Sequence, residues 1–115
     1  MILPNVDAAQ IPENKILGYL LSSTHRSGKA KAAFFVGVGF RPQQWEKLAA
    51  ALHRHARENP VVTEEATVFG RRYVVDGPLI AADGTALNVR SVWFINNDEA
   101  APRFVTAHPL KRKIA

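Results

Sequence analysis

The sequence predicts an α+β fold in which N-terminal helices pack on a four-stranded antiparallel meander sheet. Apolar residues recur with a helical period before Pro60, and the period changes to two residues after it. An Asp83-Gly84 pair between two strand-like runs is typical of a hairpin turn. Helical segments followed by strands are typical of α+β domains. The length of 115 residues fits one domain. We expect a helical part 12–58, a sheet part 61–109 and a basic tail 110–115.

The first two helices are expected to be short. The first begins at Pro12, a residue favoured in the opening turn, and carries an apolar face within residues 16–21. The second runs from Lys29 to about Val36 and ends at the glycines that follow.

The third helix is expected to be the longest. It begins at Pro42, carries an apolar stripe at helical spacing from Trp45 onward, and ends before Asn59-Pro60. His53 and His55 lie two positions apart, so they point to different sides and do not form a metal-binding pair. We expect both imidazoles to face solvent.

Alternating residues predict four strands, at 61–67, 71–79, 86–95 and 103–107. On the third strand, one face is expected to carry Leu87, Val89, Ser91, Trp93 and Ile95, and the other face carries Arg90. On the fourth strand, Thr106 and His108 are expected to share a face with Phe104. The two tryptophans and most phenylalanines are expected in the core, because they lie on apolar faces.

The formal charge of +5 is unevenly distributed. Segments 1–60 and 102–115 each carry a net +4, whereas segment 61–101 carries −3. From Asn14 to Trp45 there are five basic residues and no acidic one. If the tail folds back beside that stretch, one face becomes strongly positive and attracts nucleic acid or an acidic protein. A solvated basic surface is the alternative.

The composition excludes several classes of function. The chain has no cysteine, which rules out a disulfide scaffold, a thiol nucleophile and a cysteine metal site. With four histidines, we expect neither a metal nor another cofactor. No apolar run reaches the ~18 residues of a membrane span. The N-terminus also lacks the pattern of a signal peptide, so we expect a cytoplasmic protein with no membrane partner.

The segment 25–31 (HRSGKAK) brings an imidazole, a guanidinium and two ammonium groups to the predicted start of a helix. Free N–H groups at a helix start favour phosphate. His25 titrates near neutrality and could move a proton, and Lys29 could hold a phosphate as a point charge. A basic loop with a locally hydrogen-bonded histidine remains the alternative.

A second group of polar residues lies on the predicted sheet. It includes Arg72, Arg90, Thr106 and His108. These residues could simply occupy the solvent face of a one-sided sheet. Alternatively, that face forms a groove with the basic loop. A histidine could then take the proton of a ribose 2′-hydroxyl while arginine and lysine stabilise the charge on phosphate.

Several segments resemble a small family of uncharacterised bacterial proteins. They are LPN (3–5), HRSGKAKAAF (25–34), GF (39–40), GRRYVVDGPL (70–79), VRSVWFI (89–95) and RFVTAHP (103–109). The family pattern His-Pro-x-Gly-x-x-Lys matches His25, Gly28 and Lys31. Its last strand usually reads Val-Thr-Ala-Tyr-Pro, whereas here His108 replaces the tyrosine.

The layout of that family is similar to the barnase–colicin–RelE-like ribonuclease toxins, in which N-terminal helices pack on a four-stranded sheet. The resemblance implies a metal-independent site that uses a helix-borne His or Lys, a strand Arg and a hydroxyl on the last strand. The catalytic candidates are therefore His25, Lys31, Arg90 and Thr106. The candidates for nucleic-acid binding are Arg26, Lys29, Arg72, Arg103, His108 and Lys111.

Three functions fit these observations. The first is a ribonuclease toxin, a metal-independent endoribonuclease, whose expected partner is RNA or an acidic protein of the antitoxin or immunity type. The second is a non-catalytic interaction module, such as an antitoxin, an immunity protein or a phage accessory protein. The third, a plain nucleic-acid-binding domain, is weakened because the sequence lacks a base-stacking strand pair and a recognition helix. The oligomeric state is left open.

Overall fold

The computed structural model describes residues 1–22, 24 and 29–110 of the chain. Within them, the helices are α1 (Glu13–Lys15), α2 (Lys29–Gly37) and α3 (Trp45–Glu58), with short 3₁₀ turns at Val6–Ala8 and Pro42–Gln44. The strands are β1 (Val61–Ala66), β2 (Gly70–Ile80), β3 (Ala86–Asn96) and β4 (Arg103–Pro109). This order of elements confirms the predicted α+β architecture.

The first helix continues past α1 as a π-helical segment, Ile16–Leu20. Ile16, Leu20 and Leu21 are buried, so the predicted apolar face is confirmed. The chain leaves α2 through Gly39, whose φ of 102° lies in the left-handed region that favours glycine.

The sheet is an antiparallel meander with the strand order β1-β2-β3-β4 among the described residues. The Asp83-Gly84 turn joins β2 to β3, as predicted. The Asp83 side chain accepts a hydrogen bond from the Thr85 backbone N–H at 2.9 Å, and Gly84 supplies a φ of 89°.

An irregularity in β4 changes which side chains share a face. Val92 lies opposite Thr106, but the next residue, Trp93, lies opposite Phe104, so β4 has an extra residue at Val105. Neighbouring residues on a strand point to opposite faces. The prediction that Phe104 shares a face with Thr106 is therefore wrong: Phe104 lies with Trp93 in the core, and Thr106 lies on the other face.

The core fills the space between the helices and one face of the sheet. Its largest fully buried side chains include Trp93, Phe35, Phe40 and Phe104. Trp93 and Phe104 meet edge to face, with ring centroids 5.4 Å apart. Phe69 is an exception to the expected burial of aromatics, because 76% of it is exposed at the β1–β2 turn.

The expectation that both α3 histidines face solvent is wrong. His55 is 1% exposed, and its Nε2 lies 3.1 Å from the Gly77 carbonyl oxygen and 2.9 Å from that of Val89. Because carbonyls only accept, Nε2 carries the hydrogen, and Nδ1 accepts a bond from the Ser91 hydroxyl at 2.9 Å. His53 is half-buried and donates from Nε2 to the Val6 carbonyl oxygen at 2.7 Å. Periodicity placed these rings on α3 but did not reveal their partners in other elements.

The close packing of α3 on the sheet depends on Gly77. A Cβ at this position would lie 2.1 Å from the Asn59 Oδ1 atom. Asn59 follows α3 and donates its side-chain amide to the His55 and Pro78 carbonyls, at 2.9 and 3.2 Å. Gly77 therefore lets the end of α3 approach β2 closely enough for His55 to reach carbonyl groups on β2 and β3.

In the part of the chain that the structure describes, no helix has the length and apolarity needed to cross a bilayer.

Candidate functional site

A cluster of three polar side chains joins the helices to β4. Lys31 comes from the first turn of α2, Tyr19 from the π-helical segment and Thr106 from the strand residue that follows Val105. The Lys31 Nζ donates to the Thr106 Oγ1 at 2.9 Å and also to the Tyr19 hydroxyl. The Tyr19 and Thr106 oxygens lie 3.1 Å apart and share a further hydrogen bond. We call these residues the Lys–Tyr–Thr cluster.

Local structure fixes the orientation of the ammonium group. The Lys31 Nζ lies 4.8 Å from the centroid of the Tyr19 ring, within the range of a cation–π interaction. Each of the three side chains is partly exposed, so solvent or a ligand can reach the cluster. A lysine held at two hydroxyls and one ring face has fewer rotamers to lose when it binds an anion.

Within the described part of the chain, no carboxylate neutralises the ammonium group of Lys31. Among the described residues, the ion pairs join Arg54 to Glu58, Arg57 to Asp7, Arg71 to Glu64 and Arg90 to Asp76, and none includes Lys31. Its contacts are with neutral oxygens. A partly buried cation beside neutral hydroxyls attracts an anionic group such as a phosphate.

The environment changes the acidity of the Tyr19 phenol. Partial burial raises its pKa, but the hydrogen bonds with Lys31 and Thr106 and the positive charges of Lys31 and Lys15 outweigh burial. The net result is a pKa below the ordinary value of 10.0. A phenol of lowered pKa is a better proton donor, and the adjacent ammonium stabilises the phenolate that it leaves.

Arg90 lies on the same sheet face as Thr106 but does not touch the cluster. In register across β2, β3 and β4, Asp76 lies opposite Arg90 and Arg90 lies opposite His108. The Arg90 Nε and Nη2 donate to the two Asp76 oxygens at 2.7 and 2.8 Å. These bonds raise the pKa of Arg90 and balance its charge. His108 donates from Nδ1 to the Pro109 carbonyl oxygen at 3.2 Å.

The other predicted residues are placed as follows. Lys29 is exposed at the start of α2, two residues before Lys31. Arg72 is exposed on β2, opposite Phe94. Arg103 is exposed at the start of β4. The predictions for His25, Arg26 and Lys111, and for most of the basic tail, lie outside the described residues.

Sequence reasoning missed Tyr19. It lies in an amphipathic helical run, next to the apolar positions. The sequence around it does not indicate that its hydroxyl belongs to a functional site. Only its placement next to Lys15, one turn earlier, hints at an altered pKa. Its contact with Thr106 spans 87 positions, so pattern analysis could not find it.

The described residues include no group of three histidine, aspartate or glutamate side chains placed to hold a metal ion.

Comparison with known proteins gives the fold a context. No curated protein matches the chain. A solved chain from the "Contact-dependent growth inhibition toxin - immunity protein complex from Klebsiella pneumoniae 342" is similar, with a TM-score of 0.66 and 18% sequence identity. The match covers 87% of this chain and 98% of that one, and at this identity it demonstrates a shared fold. The family model described as Domain of unknown function (DUF6883) matches residues 2–111, so the chain belongs to this family, in agreement with the expected uncharacterised domain family.

Proposed function

We propose that the chain is a ribonuclease of the toxin type, which cleaves RNA without a metal ion at the Lys–Tyr–Thr cluster. The observation that carries the proposal is the contact between three groups: an ammonium group with no carboxylate partner among the described residues, a phenol of lowered pKa and a hydroxyl. Likeness in fold to a chain from a toxin–immunity protein complex supports a role in a system of this kind, as toxin or as immunity protein.

The reaction would be an internal transfer at one phosphodiester. A base removes the proton of the ribose 2′-hydroxyl, and the 2′ oxygen forms a bond to phosphorus. The bond from phosphorus to the 5′ oxygen breaks, and that oxygen takes up a proton. The products are a 2′,3′-cyclic phosphate and a free 5′-hydroxyl.

The cluster supplies two of the functions that this reaction needs. Lys31 binds a non-bridging phosphate oxygen and stabilises the charge that develops there, while Thr106 donates a hydrogen bond to the same group. Tyr19 protonates the leaving 5′ oxygen, a role that its lowered pKa favours. His25 remains the sequence-based candidate for the base. Arg90 is paired with Asp76, and its proposed role is to hold the sheet face beside the cluster in position.

The test is cleavage by the purified chain. Total RNA is incubated with the protein in excess chelator, and the product ends are assayed for 2′,3′-cyclic phosphate. The wild type is expected to cleave, and Lys31→Met is expected not to. Lys47→Met is the matched control, because it removes the same charge from an exposed site on α3. Intact RNA with the wild type, together with normal growth when the chain is expressed alone, would refute the ribonuclease proposal.

A non-catalytic interaction module is the second candidate, and the edge strand favours it. β1 is exposed along nearly its whole length and pairs with β2 on one side only among the described residues. Such an edge can accept a strand from another protein. On this proposal, the chain protects cells from a toxin or forms a complex with one. The cleavage assay would then be negative while a stable complex with the protein encoded beside it forms.

A further inference from the structure

We infer that an open cleft at one end of β3 and β4 is a subsite for a nucleobase of single-stranded RNA. It deepens the proposed function and rests on it, because it supplies the substrate contacts beside the Lys–Tyr–Thr cluster. The base stacks on Phe69 and Phe94, and Lys15 and Arg103 bind the flanking phosphates.

The cleft has a volume of about 590 Å³ and combines aromatic rings with cations. Phe69 and Phe94 contribute the ring faces, and Lys15 and Arg103 contribute the positive charges. Of the described residues that line the cleft, two are cationic and one, Asp98, is a carboxylate. Aromatic side chains with nearby cations are the usual platform for single-stranded nucleic acid, since every base has a π-face to stack and a phosphate beside it.

Phe69 is held in an exposed position by its backbone. The Phe69 carbonyl accepts a hydrogen bond from the Asn97 N–H at 3.0 Å, and its own N–H donates to the Thr67 Oγ1 at 3.1 Å. The Asn97 side-chain amide donates to the Val68 carbonyl at 2.8 Å. Three hydrogen bonds therefore fix the turn while Phe69 remains 76% exposed. An exposed phenyl on a fixed backbone loses little entropy when a base stacks on it.

Phe94 and Arg103 form a second ordered surface of the cleft. The Arg103 guanidinium carbon lies 6.0 Å from the centroid of the Phe94 ring, and its Nη2 donates to the Asn96 Oδ1 at 3.3 Å. A guanidinium over one face of a phenyl ring can bind a phosphate next to a base that stacks in the cleft. A strongly apolar protein partner would not need either cation, so the lining favours a nucleic acid.

Residues that line the cleft neighbour the Lys–Tyr–Thr cluster along the chain. Its lining includes Val105, which directly precedes Thr106, and Lys15, which lies one helical turn before Tyr19. From Arg103 to Thr106 the strand covers about 10 Å or less at ~3.3 Å per residue. A strand of RNA could therefore occupy both places at once.

Binding of an uncleavable oligonucleotide tests the subsite separately from catalysis. Full-length wild-type chain is titrated into a labelled 2′-O-methyl adenosine oligonucleotide, which lacks the nucleophilic 2′-hydroxyl, and fluorescence anisotropy reports the Kd. Phe69→Ala is expected to weaken binding about tenfold, and Phe69→Trp to restore it. Val68→Ala is the matched control, because Val68 is its neighbour, is 83% exposed and does not line the cleft.

An abasic oligonucleotide identifies the contact. Replacing successive positions by abasic sites should reveal one position where the base contributes as much as Phe69, and there Phe69→Ala should cause no further loss. Equal binding by wild type and Phe69→Ala would overturn the subsite, even if unmodified RNA is cleaved normally. Phe69-dependent binding without cleavage of unmodified RNA would instead uphold the subsite and refute the ribonuclease.

Discussion

Two polar clusters in this chain use similar residues in opposite ways. On the core face of β3, His55 is bonded to Ser91, and the Trp93 indole N–H donates to the same Ser91 hydroxyl at 2.8 Å. At β4, Lys31 is bonded to Thr106 and Tyr19. Each cluster thus combines a basic group, a hydroxyl and an aromatic ring.

Burial separates the two clusters. His55 and Ser91 are 1% and 0% exposed, and both nitrogens of the imidazole have partners. Desolvation lowers the pKa of His55 although two backbone carbonyls and Asp76 act against it, so the ring is neutral near pH 7. Lys31 and its partners are half-exposed, so the Lys31 ammonium can replace a contact with a neutral oxygen by a contact with an anion. A satisfied buried network stabilises the fold, whereas an accessible one can do chemistry.

The largest expected effect is on the buried cluster. His55→Ala leaves a cavity and removes the partner of two buried carbonyls, so it should lower the free energy of unfolding by about 4 kcal/mol. His53→Ala, which removes one bond from a half-buried ring, should cost about 1 kcal/mol. Urea denaturation followed by circular dichroism measures both. Equal losses in the free energy of unfolding would mean that the buried histidine stabilises the fold no more than the half-buried one.

Substitutions in the Lys–Tyr–Thr cluster should change the rate of RNA cleavage rather than the stability of the fold. Lys31→Met is expected to lower the rate of RNA cleavage by about 10²–10³-fold, since it removes the group that stabilises the charge on phosphate. Its urea midpoint should stay close to that of the wild type. A large loss of stability with cleavage retained would make Lys31 a structural residue like His55.

Tyr19→Phe separates the contribution of the Tyr19 hydroxyl group from that of its aromatic ring. The variant keeps the ring beside the Lys31 ammonium but removes the proton, so cleavage should fall by about 10²-fold. The alkaline limb of the pH–rate profile should also disappear, because the loss of the phenol proton would otherwise inactivate the wild type at high pH. An alkaline limb that persists in Tyr19→Phe would assign proton donation to another group.

Acid should weaken the fold through His55. Because the folded-state pKa lies below the ordinary 6.5, the unfolded chain binds more protons between the two values, and stability falls as the pH falls below about 6.5. One such group contributes at most about 1.4 kcal/mol per pH unit. His55→Gln, which cannot titrate, should flatten this part of the stability curve. An unchanged slope would place the acid sensitivity elsewhere.

The smallest effect is expected at Arg90 and Asp76. The side chains are 40% and 17% exposed, so solvent screens the pair, and Asp76→Asn should cost about 0.5 kcal/mol. Added salt should reduce the difference from the wild type. If Arg90→Gln instead abolishes RNA cleavage with the fold intact, Arg90 belongs to the catalytic machinery as the resemblance implied.

Periodicity located the elements because each depends on its own apolar face. The stripe from Trp45 placed α3, the Asp83-Gly84 pair placed the β2–β3 hairpin, and alternation placed Trp93 in the core. These features require local spacing alone. The extra residue at Val105 could not be predicted from local spacing, because the alternation in β4 looks regular until the strand is paired with β3.

Local sequence patterns predict the α+β class and the order of helices and strands, and the family resemblance points to Lys31 and Thr106 as candidates. The folded structure is needed to see that Tyr19 joins them, that Asp76 neutralises Arg90, and that His55 is buried. These last three facts depend on contacts between elements that lie 14 to 87 positions apart in the chain. Burial and charge compensation arise when those elements pack together, so a local pattern cannot separate a structural basic group from one available to a ligand.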